Sequence, residues 1–203
     1  MKKPDKEKNC AFIDAQNLHM SIEAMGWRLD YKRFRVYLKE HYGIAKAYMF
    51  MGYKPDQQPM YDALKEYGYT VVFKPTLTLK NGITKGNCDA DLVLQAMIDY
   101  KKYDKAVIVS GDGDFHCLIN FLQGRGKLGA VLVPSIDTCS ALIREVVEGR
   151  VDVVSDLRKE LEYKKVAMKR IYTKIAVKAP EKTSVKEKFG VGFVVRKLVN
   201  VGA

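Results

Sequence analysis

The sequence predicts an α/β protein in which a mostly parallel sheet carries helices on both faces. Short apolar runs alternate with segments of helical spacing from residue 10 to about residue 162, and this alternation is typical of parallel strands joined by helical crossovers. Hydrophobic residues form 47% of the 203-residue chain, which is enough for a packed core. The length fits one α/β domain followed by a shorter segment.

Strands are predicted where β-branched, aromatic and other apolar residues form short runs between turns or charged residues. In chain order these runs are Cys10–Ala15, Ala45–Met51, Tyr69–Lys74, Lys105–Val109, Gly129–Pro134 and Val151–Val154. The stretch TLTLKNGITKGN has two short alternating segments around Asn81-Gly82. Because Asn-Gly is a preferred dipeptide of tight hairpin turns, this stretch predicts a small hairpin or a flexible loop.

Helices are predicted where apolar residues recur every three or four positions. After the first strand this spacing begins with Leu18, Ile22 and Met25, and a later long segment brings Leu92 and Ala96 to one face. The further helical segments are Tyr31–Tyr42, Pro59–Tyr67, Asp89–Tyr103, Phe115–Arg125, Cys139–Glu148 and Asp156–Tyr163. This order of elements predicts right-handed crossovers, with ligands bound beyond the carboxyl ends of the strands.

The positive charge of the chain is concentrated in its last fifth. The whole sequence has a formal net charge of +11, whereas residues 163–203 contain 11 Lys and Arg against two Glu, a net of +9. Residues 1–162 therefore carry a net charge of only +2. We predict a folded domain over residues 1–162 and a basic extension over 163–203. The extension either holds a polyanion or is a solvated tail, and FGVGFVVRKLVN within it is a strand or a partner-binding segment.

The cysteines and the apolar pattern favour a cytoplasmic protein without membrane attachment. Cys10, Cys88, Cys117 and Cys139 are widely spaced and form no Cys-x-x-Cys pair, which indicates reduced thiols rather than disulfides or a zinc site. The first ten residues, MKKPDKEKNC, are charged and contain no apolar core of a signal peptide. The longest apolar runs are too short to cross a bilayer.

Acidic residues follow two of the predicted strands and open the longest helix. Asp14 ends the first strand, Asp112 and Asp114 follow AVIVS, and Asp89 and Asp91 lie in KGNCDADLVLQA. Because parallel strands end at one edge, Asp14, Asp112 and Asp114 are expected to converge there, joined by Asp89 if the preceding loop crosses that edge. Clustered carboxylates need a compensating charge, and Mg²⁺ or Mn²⁺ prefers oxygen ligands. Asp14 alone also fits a helix N-cap, but the paired carboxylates of SGDGDF exceed the needs of one cap.

Three segments of the chain carry motifs in a recognisable order: FIDAQNL, KGNCDADLVLQAM and AVIVSGDGDFHCLINFLQGRGKLGAVLV. Together they resemble the motifs of the NYN domain, in its LabA-like branch, a family of the PIN-like nuclease superfamily. The resemblance covers roughly three quarters of the chain, from about residue 10 to about residue 156. It implies a Rossmann-like three-layer α/β/α fold and a metal-dependent ribonuclease site of acidic residues at one edge of the sheet.

The resemblance also implies roles for individual residues. By position, Asp14, Asp89 and Asp112 match the metal-binding aspartates, and Asp114 matches the second carboxylate of SGDGDF, an outer ligand or an orienter of the attacking water. Ser110 matches the hydroxyl residue that opens that motif. The chain departs from the family where Ala15 replaces a common glycine and Gln95 a common further aspartate, for which Asp91 is a candidate replacement.

Two other side chains are candidates for contact with the substrate. Asn17 matches the asparagine of the first motif, and it either binds a water or a phosphate or caps the following helix. Lys85 lies in the loop before the middle acidic motif, where it either meets a phosphate or is an ordinary loop lysine.

The leading hypothesis is a cytoplasmic endoribonuclease that uses Mg²⁺ or Mn²⁺ and favours single-stranded RNA. The main alternative is an RNA-binding module of the same fold whose metal site is too weak for cleavage, as Gln95 and Ala15 suggest. A phosphotransfer enzyme has less support, since no Asp-x-Asp follows the first strand and no acceptor–lysine pair is evident. The sequence leaves open whether the protein forms a homodimer.

Overall fold

A six-stranded parallel sheet lies at the centre of the described part of the chain. The computed structural model describes residues 8–74, 77–78, 84–85 and 89–164. The described strands are β1 (Asn9–Asp14), β2 (Ile44–Gly52), β3 (Tyr69–Lys74), β4 (Leu77–Thr78), β5 (Thr84–Lys85), β6 (Ala106–Val109), β7 (Leu128–Val133) and β8 (Asp152–Val153). All except β4 and β5 belong to the central sheet. The sheet has the order β3-β2-β1-β6-β7-β8, with every neighbouring pair parallel. The predicted parallel sheet is confirmed.

Helices cover both faces of this sheet. They are α1 (Ala15–Ala24), α2 (Tyr31–Tyr42), α3 (Gln58–Glu66), α4 (Asp89–Ile98), α5 (His116–Gly124), α6 (Ala141–Val146) and α7 (Arg158–Leu161). Because side chains alternate along a strand, Ala11 and Ile13 of β1 join a core cluster with α1, α2, α3 and α7, whereas Cys10 and Phe12 join a second cluster with α4, α5 and α6. The expected three layers are therefore present.

The strand order changes direction between the neighbouring strands β1 and β6. From β1 the chain proceeds outward through β2 to β3, and it then returns to β6 on the other side of β1. Ile13 pairs with Val109 in the parallel register, so Asp14 and Ser110 come next on adjacent strands. Ligands of doubly wound sheets bind at such a switch point, beyond the carboxyl ends of the strands. The fold thus brings the first and third sequence motifs together.

The small hairpin predicted before the middle motif is present as an antiparallel pair. Strands β4 and β5 align Leu77 with Lys85 and Thr78 with Thr84. The Asn81-Gly82 turn between them lies outside the described residues, as does the side chain of Lys85. The same holds for residues 165–203, which include most of the predicted basic extension and the FGVGFVVRKLVN segment.

Helix α4 ends five residues before the predicted end at Tyr103, and a buried aspartate explains the difference. Asp99, which is 5% exposed, accepts hydrogen bonds from Gln95 Nε2 (2.9 Å), Lys102 Nζ (2.7 Å) and the hydroxyl of Tyr48. Burial by itself would raise the pKa of Asp99, but the donors Lys102, Tyr48 and Gln95 outweigh it and hold this pKa at about 2. These contacts hold the chain in a turn where helical spacing continues in the sequence.

The last helices are also shorter than predicted. Helix α6 starts after Ser140, whose hydroxyl accepts a hydrogen bond from Leu142 N–H (3.3 Å). It ends at Val146, and Glu148 (φ 53°) and Gly149 (φ 74°) then take the left-handed conformation, which stops a right-handed helix. The predicted helix Asp156–Tyr163 is a 3₁₀ turn over Val154–Leu157 followed by α7.

The described cysteines are free thiols, in agreement with the sequence prediction. Cys10 and Cys139 are buried, and Cys117 is exposed. Burial raises the pKa of the Cys10 thiol to about 12, so this side chain packs as a small apolar group. Among the described helices, none has the length and apolarity that crossing a bilayer requires.

Candidate acidic site at the sheet edge

Four carboxylates approach the switch point from three parts of the chain. Asp14 is the last residue of β1, and Asp89 is the first residue of α4. Asp112 follows β6, and Asp114 lies in the 3₁₀ turn Gly113–Phe115 that leads into α5. The ends of β1 and β6 therefore converge as expected, and Asp89 joins them from the start of α4.

Asp89, Asp112 and Asp114 form a close group. Each offers a carboxylate oxygen, and these oxygens lie within 4.8 Å of one another. Asp89 and Asp112 are half-buried, and Asp114 is exposed. Three carboxylate oxygens at this separation repel one another unless a cation lies between them. An all-oxygen donor set open to water suits Mg²⁺ or Mn²⁺, which retain several water ligands, so the residues present fit such an ion.

Asp14 is buried behind an internal set of hydrogen bonds. It is 9% exposed, and its carboxylate accepts from Ser110 Oγ (3.2 Å) and from the backbone N–H of Asn17 (3.1 Å). Burial raises the pKa of Asp14, the two hydrogen bonds act against this, and the nearby charges of Asp89 and Asp112 raise it further. Asp14 thus interacts electrostatically with the group but is not a member of it; the third member beside Asp89 and Asp112 is Asp114. The assignment of individual ligands stays a prediction.

Hydrogen bonds fix the SGDGDF loop against the first motif. Asn17 Oδ1 accepts from the backbone N–H of Gly111 (2.9 Å). Ser110, fully buried, accepts at its hydroxyl from Asp112 N–H (3.1 Å) while it donates to Asp14. Asp112 in turn accepts from the N–H of Asp114 (3.0 Å). Asn17 and Ser110 therefore position the carboxylates, and their predicted contacts with substrate stay predictions.

The loop also packs closely against the start of α6. The carbonyl of Gly111 accepts a hydrogen bond from Ser140 N–H (2.9 Å). A Cβ atom added at Gly113 would lie 2.5 Å from Ser140 Oγ and 3.1 Å from its Cβ, closer than van der Waals contact allows. A larger residue at position 113 would therefore force Ser140 or the loop to shift.

The side chain of Gln95 is directed away from the carboxylate group. The amide of Gln95 donates to Asp99 and, at 3.3 Å, to the hydroxyl of Tyr48, in the opposite half of α4 from Asp89. Asp91 is half-buried in the first turn of α4 but does not belong to the close group of Asp89, Asp112 and Asp114.

A pocket that the sequence analysis did not predict begins at the residue after Asp14. It has a volume of about 390 Å³ and lies between α1, the end of β2 and the start of α3, with Ala15 in its wall directly after Asp14. Its polar lining includes Gln16, Lys54 and Gln57. These residues come from separate elements and follow no motif, so only the folded arrangement reveals them.

Comparisons with known proteins agree with this architecture. The family model for the NYN domain matches residues 9–148. The low amplitude and bright protein LabA of Synechococcus elongatus is 31% identical over 162 residues, which cover 74% of this chain and 86% of that protein. A protein of unknown function from Vibrio parahaemolyticus has a similar fold, with a TM-score of 0.66 at 24% identity over 80% of this chain and 100% of that one. The chain therefore belongs to the NYN domain family.

Proposed function

We propose that this protein is a ribonuclease that depends on Mg²⁺ or Mn²⁺. The observation that carries the proposal is the close group of Asp89, Asp112 and Asp114 at the switch point of an NYN domain. Asp89 and Asp112, half-buried and fixed by α4 and the SGDGDF loop, would hold the ion, with Asp114 at the exposed rim. When bound, such an ion polarises the scissile phosphate and neutralises the negative charge that develops during cleavage.

The chain's own residues have distinct tasks in this proposal. Asp114 is exposed, so its carboxylate can accept a hydrogen bond from the attacking water and orient it toward phosphorus. Asp14 is buried and accepts a hydrogen bond from the hydroxyl of Ser110. The same hydroxyl accepts from the backbone N–H of Asp112, so Asp14 holds the backbone of Asp112 in place through Ser110. This arrangement keeps the carboxylates in place before substrate arrives, and preorganised charge gives the largest electrostatic effect on a transition state.

The substrate class follows from the charge of the chain together with its family. Residues 163–203 carry a net charge of +9, and clustered Lys and Arg bind nucleic acid through its phosphates. RNA, in single-stranded form, is the proposed substrate, and the cytoplasm is the proposed location. A homodimer stays a prediction of the sequence alone.

A binding module without turnover is the second candidate, and the geometry of Gln95 favours it. This side chain is engaged with Asp99 and Tyr48 and adds no oxygen to the acidic group. A site with fewer anionic ligands holds a divalent ion more weakly, so the fold would then bind RNA without cleaving it.

Cleavage assays on purified protein separate the two candidates. We expect cleavage of single-stranded RNA with Mg²⁺ or Mn²⁺, abolished by EDTA, and lowered at least about a hundredfold in Asp112→Asn, a factor that corresponds to ~2.7 kcal/mol of transition-state stabilisation. Asp62→Asn, an exposed change on α3, is the matched control and should keep full activity. RNA binding that persists without any metal-dependent cleavage would favour the binding module.

A further inference from the structure

The pocket next to Asp14 has the size and walls of a small-ligand site. Its volume of about 390 Å³ lies in the range of such sites, roughly 300–1,000 Å³. Leu64 and the half-buried Met51 form apolar walls, and the more exposed Met20 and Met60 extend them. Methionine is flexible and polarisable, and its sulfur makes favourable contacts with aromatic rings. A flat aromatic group therefore fits these walls.

The polar groups of the pocket add a hydrogen-bonding edge and a positive charge. The amide of Gln57 offers two donors and an acceptor, and the amide of Gln16 offers an acceptor and the donor that does not contact Met20 Sδ (3.8 Å). Lys54 contributes an exposed ammonium group. A nucleobase presents an aromatic face and an edge of donors and acceptors, and its backbone phosphate is an anion. The lining is complementary to all three features.

The position of the pocket links it to the acidic group. Ala15 in the pocket wall is the residue after Asp14, and consecutive Cα atoms are about 3.8 Å apart. Asp14 ends β1, and Asp112 follows β6, the parallel neighbour of β1, so the pocket begins at the same edge of the sheet as the acidic group.

We propose that the pocket binds the base of a nucleotide adjacent to the scissile phosphate, an inference that rests on the proposed ribonuclease function. Bases of single-stranded RNA are free to leave the stack and enter protein pockets, where their edges are read by hydrogen bonds. The pocket would accordingly give the enzyme a base preference beside the cleavage position and a preference for unpaired RNA.

Binding of short RNA to the full-length protein tests this proposal. Fluorescein-labelled tetranucleotides of A, C, G and U are titrated in EDTA, so that no cleavage occurs. Met60→Ala should weaken the best-bound sequence about fivefold, because the base then packs against a smaller apolar wall. Met97→Ala is the matched control, since Met97 on α4 is also 40% exposed and lies outside the pocket; it should bind as the wild type does. The proposal would be overturned if, for each of the four sequences, both variants bound with the same affinity as the wild type.

A second pair of variants tests the reading of the base. Gln57→Ala should reduce the difference in affinity between the four tetranucleotides, whereas Gln58→Ala should preserve it. Gln58 is the next residue in the chain, but its amide donates to Asp62 (2.9 Å) and does not line the pocket. If the two variants keep the same order and spread of affinities, the glutamine does not read the base.

Photo-crosslinking locates the base without any substitution. An oligonucleotide with one 4-thiouridine is irradiated with the wild-type protein, and the modified peptides are mapped by mass spectrometry. Crosslinks should fall on peptides that contain Gln16, Met20 or Met60; crosslinks confined to other surfaces would refute the subsite. These readouts need no catalysis, so a protein that binds RNA in the pocket but never cleaves it would refute the ribonuclease alone. Normal cleavage with no effect of Met60→Ala or Gln57→Ala would refute the pocket alone.

Discussion

The side-chain oxygen of Asn17 accepts a hydrogen bond from the backbone N–H of Gly111 at 2.9 Å. This bond joins the first turn of α1 to the loop after β6, so that the two segments meet across the switch point of the sheet. An asparagine three residues after Asp14 thereby supports carboxylates that lie almost a hundred residues further along the chain.

Replacement of Asn17 by alanine should loosen this loop. The N–H of Gly111 would lose its acceptor, and removal of one partner from a part-buried hydrogen bond costs about 1–3 kcal/mol. We expect the Gly111 amide to exchange with deuterium at least about tenfold faster in Asn17→Ala, measured by NMR. The amide of Phe34 in α2, which donates to the carbonyl of Asp30 (2.9 Å), is the reference outside the loop; equal acceleration of both amides would indicate general destabilisation instead.

The two glycines of SGDGDF should respond differently to alanine. At Gly113 the new Cβ would meet Ser140 Oγ at 2.5 Å, whereas at Gly111 the nearest atom, the carbonyl oxygen of Thr138, lies 3.4 Å away in ordinary contact. Overpacking of this kind costs about 1–3 kcal/mol. Urea denaturation should therefore show a loss of that size in Gly113→Ala and less than about 1 kcal/mol in Gly111→Ala. Equal losses would show that space at Ser140 is not the constraint.

The placement of the carboxylates was predictable because it depends on topology. Parallel strands must end at one edge, so a carboxylate directly after a strand, such as Asp14 or Asp112, has its position fixed by the chain order. The position of Asp14 outside the close group of Asp89, Asp112 and Asp114 was not predictable. It depends on the burial of Asp14 and on its bond to Ser110, which are properties of side-chain packing.

The end of α4 and the pocket escaped sequence reasoning for a related reason. Helical spacing continues past Ile98, but the chain turns at Asp99, which contacts Tyr48 on a distant strand. The hydroxyl of Tyr103 also donates to the carbonyl of Ala96 (3.1 Å) near the helix end. The pocket is formed by side chains from several elements, including Gln16 and Gln57. A periodic pattern within one segment does not predict which side chains of other elements lie beside it in the fold.

Removal of residues 165–203 should weaken RNA binding without unfolding the domain. Tyr163 N–H donates to the carbonyl of Arg28 (2.8 Å), so a chain that ends at Lys164 keeps this hydrogen bond. The removed segment has 10 Lys and Arg against two Glu, a net charge of +8. For each phosphate that the extension neutralises in the full-length protein, its removal should lower the log–log salt slope by roughly 0.7 for a single strand. An unchanged slope in fluorescence anisotropy would show that the extension does not contact RNA.

Replacement of Asp14 by asparagine should separate stability from metal binding. Because the pKa of Asp14 is raised by burial and by Asp89 and Asp112, its ionised form opposes folding at neutral pH, and the opposition fades as the pH falls through the raised pKa. Without metal, Asp14→Asn should therefore be at least as stable as the wild type at pH 7. With Mn²⁺, the rise in melting temperature should be smaller in Asp14→Asn than in the wild type. A less stable apo variant with an unchanged Mn²⁺ effect would contradict both expectations.

Asp99 should make the domain sensitive to acid. Its pKa is about 2 in the folded protein against an ordinary value of 3.8, and a lowered carboxyl pKa gives stability that is fully present above the unfolded value. The difference corresponds to about 2 kcal/mol at neutral pH, lost as the pH falls from about 5 to about 2.

Urea denaturation of Asp99→Asn across this pH range tests that prediction. The variant should be less stable than the wild type at pH 7, because an amide replaces the carboxylate that accepts from Lys102, Tyr48 and Gln95. The difference between the two proteins should shrink toward pH 2, where the wild-type carboxylate takes up a proton. Asp62→Asn, at an exposed position on α3, controls for the general loss of one negative charge. A difference between Asp99→Asn and the wild type that stays constant from pH 7 to pH 2 would mean that the ionised carboxylate is not what stabilises this end of α4.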